Sequence, residues 1–293
     1  MHVLIVGGTG FIGPYVAREL SERGVQVTLF HRGEHESALL PTSARHVRSA
    51  DAGMPVLNFP RELLFTEFET VIHMIPMGEA DAGAAVKAFS GYAKRLVAVS
   101  SGDVYRAYGR FIGLEPGPPE QGLLTEHSPL RRTLYPYRAQ ANSSEDLSYY
   151  YEKILVEKQV LGHPQLPGTV LRLPKVYGPQ GNADLATMYA YRDRRHWRWT
   201  HGYVENVAFA IVLAALHPAA ANRVYNVGEA YTPTIAERLH SLPSSIVPRV
   251  AANAYDFRQD IAYDTTRIRA ELGYDEPLSY EEGLKQTLRA THA

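Results

Sequence analysis

Residues 3–13 read VLIVGGTGFIG, and the helical pattern YVAREL follows at residues 15–20. The apolar run predicts a buried strand, the glycines predict a tight turn, and the last segment predicts a helix. Gly7 permits the turn, Gly10 lets backbone N–H groups approach a pyrophosphate, and Gly13 lets the helix pack against the strand. Pyrophosphate would bind at the helix N-terminus, where unpaired amides and the helix dipole favour negative charge. The alternative is an ordinary glycine turn.

Length and composition limit the class of protein. The chain has 293 residues, 45% of them hydrophobic, which suits one large α/β domain or such a domain with a small appendage. The 30 basic and 31 acidic residues give a net charge of −1, which indicates neither a nucleic acid nor an anionic membrane as partner. Because there is no cysteine, disulfides, thiolate nucleophiles and thiolate metal sites are excluded.

The chain shows no pattern typical of membrane insertion or export. Its longest apolar run, residues 207–216, is about half a membrane span. The first strand pattern begins at His2, so we expect no signal peptide. We therefore expect a soluble, cytoplasmic protein.

Strand and helix patterns alternate along the first half of the chain. Strand patterns occupy residues 25–30, 45–48, 70–74 and 95–99, and a helical pattern occupies residues 80–92. This alternation predicts a doubly wound parallel sheet, a Rossmann fold, with ligands at the carboxyl ends of its strands.

We expect the Rossmann domain over residues 1–173, with the chain returning to it around residues 203–228. A small, reduced C-terminal substrate region is expected over residues 174–293. Residues 106–148, rich in proline and glycine, are predicted to be irregular, as a lid, a binding loop or a disordered segment.

The end of the second strand bears on which dinucleotide binds. NAD-specific proteins of this type usually place an acidic residue there, whereas this chain has His31 and Arg32. A guanidinium can bind a 2′-phosphate through two parallel hydrogen bonds, so we expect NADP in preference to NAD. Alternatively, an exposed Arg32 stacks on adenine without discriminating between them. Asp51 is placed either to meet the adenine amine or to cap a helix.

Tyr149 and Lys153 are four residues apart in a helix predicted over residues 147–161, so they would share one face. The pKa of a free tyrosine is near 10. A positive charge about 4 Å away, at an effective dielectric constant of 20, is worth roughly 4 kcal/mol, or about three pKa units. That would lower the pKa of the phenol to near neutral pH, where it can act in acid–base catalysis. The spacing also occurs by chance; Tyr150 and Tyr151 have no lysine four residues on and are predicted to pack.

Eight short motifs follow one another along the chain, and together they span nearly all of it. They are GGTGFIG at 7–13, VIH at 71–73, SSGDVY at 100–105, YYYEK at 149–153, LRLPKVYGP at 171–179, YVENVA at 203–208, VYNVG at 224–228 and YDTTRIRAELG at 263–273. In this order they resemble the extended short-chain dehydrogenase/reductase superfamily, which contains the NAD-dependent epimerase/dehydratases.

The resemblance implies an activity and the residues that carry it. Ser101 would polarise the reacting carbonyl or alcohol, Tyr149 would exchange its proton, and Lys153 would hold the ribose and lower the tyrosine's pKa. Hydride would move between the substrate carbon and nicotinamide. The cofactor-binding residues would be Gly7, Gly10, Phe11, Ile12, Gly13, His31, Arg32, Asp51, Met74 and Pro174. No metal site is expected.

We therefore expect an NAD(P)-dependent oxidoreductase or epimerase acting on a small hydroxyl- or keto-bearing molecule, such as a sugar or nucleotide-sugar derivative. Where sugar dehydratases have Thr-Asp-Glu, this chain has Ser101-Gly102-Asp103, so one acid used to eliminate water is missing. Dehydration is accordingly expected less than epimerisation or reduction. Lys175 stands where nucleotide-sugar-binding members often have Asn, and the segment between Gly178 and Tyr203 is short. Reduction of a small non-sugar carbonyl is therefore an alternative.

Residues 192–199, RDRRHWRW, combine arginines with tryptophans, which can bind phosphate and stack on bases. The segment LFHRG at 29–33 is similar to a chloroplast branch of the superfamily that binds RNA. A non-catalytic, NADP-sensing, RNA-binding or regulatory protein is thus a second alternative. The arginine-rich segment is otherwise a solvated loop or an anion-binding wall of the substrate site, and nucleic acid is not the partner we favour. Members of the superfamily commonly pair through the helix bearing Tyr149, so a homodimer is a further hypothesis.

Overall fold

The computed structural model describes residues 1–35, 37–251 and 253–291. Its strands are β1 (His2–Val6), β2 (Gln26–His31), β3 (Arg45–Arg48), β4 (Thr70–His73), β5 (Leu96–Ser101), β6 (Gly168–Leu173), β7 (Lys175–Tyr177), β8 (His201–Tyr203) and β9 (Arg223–Asn226). Its helices are α1 (Gly13–Glu22), α2 (Arg61–Leu64), α3 (Glu79–Phe89), α4 (Arg106–Phe111), α5 (Leu147–Tyr150), α6 (Lys153–Leu161), α7 (Ala186–Ala190), α8 (Val204–Leu216), α9 (Ile235–His240), α10 (Thr266–Leu272) and α11 (Tyr280–Thr291). Among these described helices, none has both the length and the apolar character needed to cross a membrane.

The main sheet has seven strands in the order β3-β2-β1-β4-β5-β6-β9, and every pairing is parallel. This arrangement confirms the predicted doubly wound sheet. After α8 the chain returns to this sheet as β9, which pairs with β6. The short strands β7 and β8 form a separate parallel pair. All the carboxyl ends of the main strands therefore lie along one edge, where the sequence predicts the ligands.

The two faces of the sheet are covered by different helices. Val3 and Ile5 of β1 pack into the core shared with α1 and α8, whereas Leu4 and Val6 face the core shared with α3 and α6. Both sets of side chains are fully buried. Burial on both faces explains why β1 reads as a continuous apolar run rather than an alternating one.

A third apolar cluster fills the C-terminal part of the molecule. It includes Tyr105, Phe111, Trp197, Ile261 and Tyr263, from segments far apart in the sequence. Phe111 ends α4 and stacks on Trp197 with ring centroids 4.9 Å apart. The prediction that residues 106–148 are irregular is therefore wrong at the start of the stretch, where α4 ends in this apolar core, whereas residues 112–146 contain only a short 3₁₀ turn at residues 138–140.

The helix predicted over residues 147–161 is broken in two. α5 ends at Tyr150 and α6 begins at Lys153, with Glu152 in an extended conformation between them. The Glu152 carboxylate accepts a hydrogen bond from the Ile154 amide at 2.9 Å, which caps α6. It also pairs with Arg131 at 3.1 Å, with both side chains fully buried. The prediction of one continuous helix is wrong, because this buried pair gives Glu152 a better place outside a helix than within one.

Candidate functional site

The glycine turn lies at the carboxyl ends of β1, β2 and β4. A Cβ at Gly13 would lie 2.4 Å from the carbonyl of Gly8, so glycine is required for α1 to begin this close to the turn. A Cβ at Gly10 would meet no atom within 4 Å, so the turn faces open space there. The structure therefore presents the helix N-terminus to a cleft, which suits a bound phosphate group.

Two cavities adjoin the turn, and we call them together the dinucleotide cleft. One, of about 210 Å³, is lined by residues that include Gly7, Gly10, His31 and Arg32. The other, of about 390 Å³, is lined by residues that include Gly10 and Phe11. Ile12 precedes the first residue of α1 and packs against the core beneath it. The structure thus brings these predicted cofactor-binding residues to one place.

His31 and Arg32 differ sharply in their surroundings. His31 is buried, with its Nε2 2.8 Å from Nδ1 of His46. Arg32 lies on the rim of the cleft, where its guanidinium pairs with Glu34 at 2.8 Å. A 2′-phosphate would share or displace that carboxylate, so the preference for NADP stays a prediction.

Asp51 and Met74 lie beside the cleft rather than in its lining. Ser49 caps the short 3₁₀ turn of residues 50–52, and its Oγ accepts from the Asp51 amide at 3.1 Å. The alternative that Asp51 caps this turn is therefore wrong, and its contact with adenine stays a prediction. Met74 is buried after β4, and its neighbour Ile75 reaches the cleft instead.

A further cavity, of about 230 Å³, lies at the carboxyl ends of β5 and β6, and we call it the β5–β6 cavity. Ser101 and Pro174, which are predicted to border the reacting atoms, both line this cavity, and their roles stay predictions. The rest of its wall is rich in phenols and aromatic rings and contains Gly102, Asp103, Tyr108, Tyr137, Tyr151, Leu173, Lys175, Trp199, Ile261 and Tyr263.

Asp103 is a buried carboxylic acid in this wall. Its Oδ2 accepts a hydrogen bond from the Tyr137 hydroxyl at 3.3 Å, and its Oδ1 has no hydrogen-bond partner among the described residues. Burial raises the pKa of Asp103, while the charges of Arg131 and Lys153 work against that rise. Asp103 lines the cavity, so its carboxylate can accept a hydrogen bond from a hydroxyl of a bound molecule.

Tyr151 presents its phenol to the same wall. Burial and the Asp103 carboxylate raise the pKa of Tyr151 well above its ordinary value, while interaction with Ser101 opposes the rise. At neutral pH the phenol therefore keeps its proton. A protonated phenol beside a serine hydroxyl can donate to a carbonyl oxygen in the cavity.

Lys153 is buried behind this wall and is held by the backbone. Its Nζ donates to the carbonyl oxygens of Pro76 and, at 3.2 Å, Val99. The ammonium lies 5.4 Å from the centre of the Tyr151 ring. Burial lowers the pKa of Lys153 to about 8.

Tyr149 is not in the β5–β6 cavity. It is 37% exposed, and its ring lies 4.5 Å from the Arg138 guanidinium on the outer surface. The prediction that Tyr149 and Lys153 share one helical face is wrong, because the break at Glu152 ends the helix between them. The break directs Tyr151 into the cavity in its place.

Position 102 is a glycine because a side chain that is distant in sequence fills the space beside it. A Cβ there would lie 1.4 Å from the Tyr263 hydroxyl oxygen, so the phenol occupies the space of any side chain. Tyr263 Oη donates to the Leu173 carbonyl at 3.3 Å, which fixes the ring. No acid can stand at position 102 while Tyr263 fills that space, and the expectation against dehydration stays a prediction.

Sequence reasoning missed most residues of this cavity wall, among them Asp103 and three tyrosines. It assigned Tyr151 to packing, because only Tyr149 has a lysine four residues on. Tyr108 and Tyr137 come from the stretch predicted to be irregular, where no periodicity points to a site. Asp103 stands within the SSGDVY motif, and that position was the available signal for it.

The arginine- and tryptophan-rich segment turns its aromatic rings inward. Trp197 is 2% exposed, and its indole N–H donates to the Gln259 carbonyl at 2.7 Å. Trp199 lines the β5–β6 cavity. Arg192 donates to two backbone carbonyls, those of Tyr189 and Val247. The tryptophans therefore serve the core and the cavity, and they do not form an exposed surface for stacking bases.

Within the described ranges, no three histidine, aspartate or glutamate side chains are grouped as a metal site would need.

Comparison with known proteins locates the similarity in sequence at the N-terminus. Residues 3–74 match the model of the NAD dependent epimerase/dehydratase family. This segment runs from β1 through β4 and contains the glycine turn, and the match confirms the resemblance inferred from the motifs there. No curated protein sequence matches the chain.

Solved structures share the fold over the whole chain. An epimerase from Methanothermobacter thermautotrophicus superimposes with a TM-score of 0.71 at 16% identity, covering 99% of this chain and 92% of that one. The UDP-glucose 4-epimerase of Thermotoga maritima, solved with UDP-glucose, gives a TM-score of 0.70 at 20% identity, covering 100% and 99%. The UDP-glucose 4-epimerase of Thermus thermophilus, solved with NAD, gives 0.68 at 20% identity, covering 100% and 99%. At these identities the likeness establishes a common fold.

Proposed function

We infer, from the match to the NAD dependent epimerase/dehydratase family and from the two sites along one sheet edge, that this chain is an NAD(P)-dependent oxidoreductase or epimerase. Its substrate is a small hydroxyl- or keto-bearing molecule of the sugar class. The observation that carries the proposal is the convergence of Ser101, Asp103 and Tyr151 on one cavity at the ends of β5 and β6. Support for the sugar class comes from a structural neighbour that was solved with UDP-glucose.

The dinucleotide cleft fits a nicotinamide dinucleotide. Open space above Gly10 and the close start of α1 at Gly13 leave room for a pyrophosphate beside the helix N-terminus. His31, Arg32 and Ala52 line the part of the cleft beyond β2, where the adenosine end would lie. A bound nicotinamide supplies the acceptor or donor of hydride.

Tyr151 is the proton-transferring group in this proposal, in place of Tyr149. Because its pKa is raised, the phenol is protonated at neutral pH and donates its proton to a substrate carbonyl oxygen as that oxygen gains charge. Ser101 supplies a second hydrogen bond to the same oxygen. The Asp103 carboxylate, which lines the same cavity, accepts a hydrogen bond from a neighbouring substrate hydroxyl. The protonated phenol is the form from which reduction of a keto group begins.

Reduction of a small non-sugar carbonyl is the second candidate function. The observation that favours it is the size of the β5–β6 cavity, about 230 Å³, which suits a molecule without a nucleotide. The same protonated Tyr151 and the same hydride donor would serve this reaction. The two candidates differ only in the substrates that are turned over.

The test compares Tyr151→Phe with Tyr149→Phe. The two variants are matched, because each removes a single hydroxyl and the two positions are two residues apart. Keto sugars, nucleotide sugars and small ketones are offered with NADPH or NADH, and nicotinamide absorbance is followed. We expect Tyr151→Phe to lower kcat roughly 100- to 10 000-fold, the usual contribution of general acid–base catalysis. Tyr149→Phe should stay within about twofold of the unchanged chain, since an exposed group outside the cavity contributes little to transition-state binding.

Cofactor titration serves as the control for folding in both variants. Neither hydroxyl lines the dinucleotide cleft, so the affinity for the dinucleotide should be unchanged in both. A large loss of kcat in Tyr149→Phe, with Tyr151→Phe unaffected, would contradict this assignment. It would show that the acid–base residue is Tyr149, the tyrosine four residues before Lys153.

A further inference from the structure

Lys175 is the first residue of β7 and stands on the wall of the β5–β6 cavity with Ser101, Asp103 and Tyr151. Its backbone is fixed, since its amide donates to the Thr200 carbonyl at 3.1 Å and β7 pairs with β8. The side chain is half-buried. The backbone of a cationic residue is therefore fixed beside the groups that would carry out proton transfer.

The ammonium of Lys175 has no hydrogen-bond or ion-pair partner in the part of the chain that the structure describes. Asp184 is the carboxylate that acts on it electrostatically, but Asp184 is exposed and one of its oxygens caps the Ala186 amide at 3.1 Å. Burial lowers the pKa of Lys175. Because the ammonium is partly desolvated and has no acceptor from the described chain, an anionic ligand in the cavity would form a charge-assisted hydrogen bond with it.

The other residues that line the cavity indicate which kind of anionic ligand would fit. Among the described residues that line the cavity, Lys175 is the one cation and Asp103 the one carboxylate. Phenols and the Trp199 ring make up much of the rest and suit the hydroxyls and C–H faces of a polyhydroxylated molecule. The Asp103 carboxylate would accept a hydrogen bond from a ligand hydroxyl, and the Lys175 ammonium would pair with a negative charge.

We propose that Lys175 is a specificity-determining residue that binds an anionic substituent, carboxylate or phosphate, on a monosaccharide-sized substrate. The inference rests on the proposed function, because it assigns the substrate class of the same cavity. Neutral sugars of the same size would leave the ammonium unpaired and would bind more weakly.

Trp199 provides the readout, since it lines the cavity and the chain contains only two tryptophans. Intrinsic fluorescence of the chain saturated with oxidised NADP is titrated with D-glucuronate, D-glucose 6-phosphate and D-glucose. These probes share one ring and differ in the substituent, so they separate a carboxylate from a phosphate. The variants are Lys175→Met and Lys175→Arg, with Lys158→Met as a control at an exposed lysine of α6.

We expect at least one anionic probe to bind about tenfold or more tightly than D-glucose, the usual effect of a hydrogen bond to a charged group. Lys175→Met should bring that ratio close to one, whereas Lys175→Arg and Lys158→Met should keep it. An equal ratio in Lys175→Met and the unchanged chain would overturn the inference. So would the absence of any preference for an anionic probe in the unchanged chain.

The two proposals can fail separately. Turnover of neutral substrates that depends on Tyr151, with no preference for anions, would refute the role of Lys175 and leave the proposed function standing. Binding of anionic probes that depends on Lys175, with no hydride transfer to or from any of them, would refute the enzymatic function and leave the anion site.

Discussion

The buried pair of Arg131 and Glu152 should be worth more to stability than any exposed ion pair of this chain. Arg131→Met leaves the Glu152 carboxylate without its cation in a place where both side chains are fully buried. Breaking such a pair from one side costs about 3–5 kcal/mol, because an uncompensated charge stays in the interior. At about 2 °C per kcal/mol for a chain of this size, the melting temperature should fall by roughly 6–10 °C.

The pair is more than a single contact, which is why we expect the upper half of that range. Glu152 also accepts from the Tyr135 and Ile154 amides, and Arg131 also donates to the carbonyls of Asp103 and Thr133. Removing Arg131 therefore frees both the Asp103 carbonyl and the Glu152 carboxylate between α5 and α6. Both residues help to position the wall of the β5–β6 cavity.

Urea unfolding is the measurement, with a midpoint shift at constant slope read as a change in stability. Arg132→Met is the matched control, because Arg132 is exposed and adjacent in sequence. It should change the free energy of unfolding by no more than about 0.5 kcal/mol. The double variant Arg131→Met with Glu152→Gln should be less destabilised than the two single effects added, since it leaves no charge unpaired. Equal stability of Arg131→Met and Arg132→Met would refute the reasoning.

Two further predictions concern the cofactor and pH. NADP should raise the melting temperature more than NAD does, because the Arg32 guanidinium on the cleft rim is the expected partner of a 2′-phosphate. Arg32→Ala should abolish this difference. Equal melting-temperature shifts with NAD and NADP in the unchanged chain would contradict the prediction. Between pH 8 and 9.5 the free energy of unfolding of the unchanged chain should rise about 1.5 kcal/mol more than that of Lys153→Met. The reason is that burial holds the pKa of Lys153 at about 8, below its ordinary 10.5, so the unfolded chain binds more protons in this window. Parallel pH curves in urea unfolding would show that Lys153 is not the group responsible.

The parts of the structure that sequence predicts well are those fixed by local pattern. Strand β1, the glycine turn and α1 follow one another within 22 residues, and the steric reason for Gly13 lies in its own neighbour Gly8. Ser101 and Pro174 end β5 and follow β6, so the parallel sheet alone brings them to one cavity. Periodicity and the rule for strand ends suffice for these elements.

The break between α5 and α6 could not be predicted from local pattern. It depends on Arg131, which is 21 residues before Glu152 and lies in a stretch without regular periodicity. Helical spacing favours Tyr149, and only the distant cation reveals that the chain leaves the helix at Glu152. The need for glycine at position 102 could not be predicted from local pattern either. It arises from the Tyr263 hydroxyl, which lies 161 positions later in the sequence.

The third apolar cluster has a consequence for how the molecule is made. Ile261 exchanges backbone hydrogen bonds with Arg198 and Thr200, and Leu124 does the same with Ala262 and Asp264. The wall of the β5–β6 cavity therefore closes only when these late residues join segments synthesised much earlier. During translation the main sheet, whose last strand ends at Asn226, can form while the chain is still growing, whereas the wall of the β5–β6 cavity is complete only after residue 264 has left the ribosome.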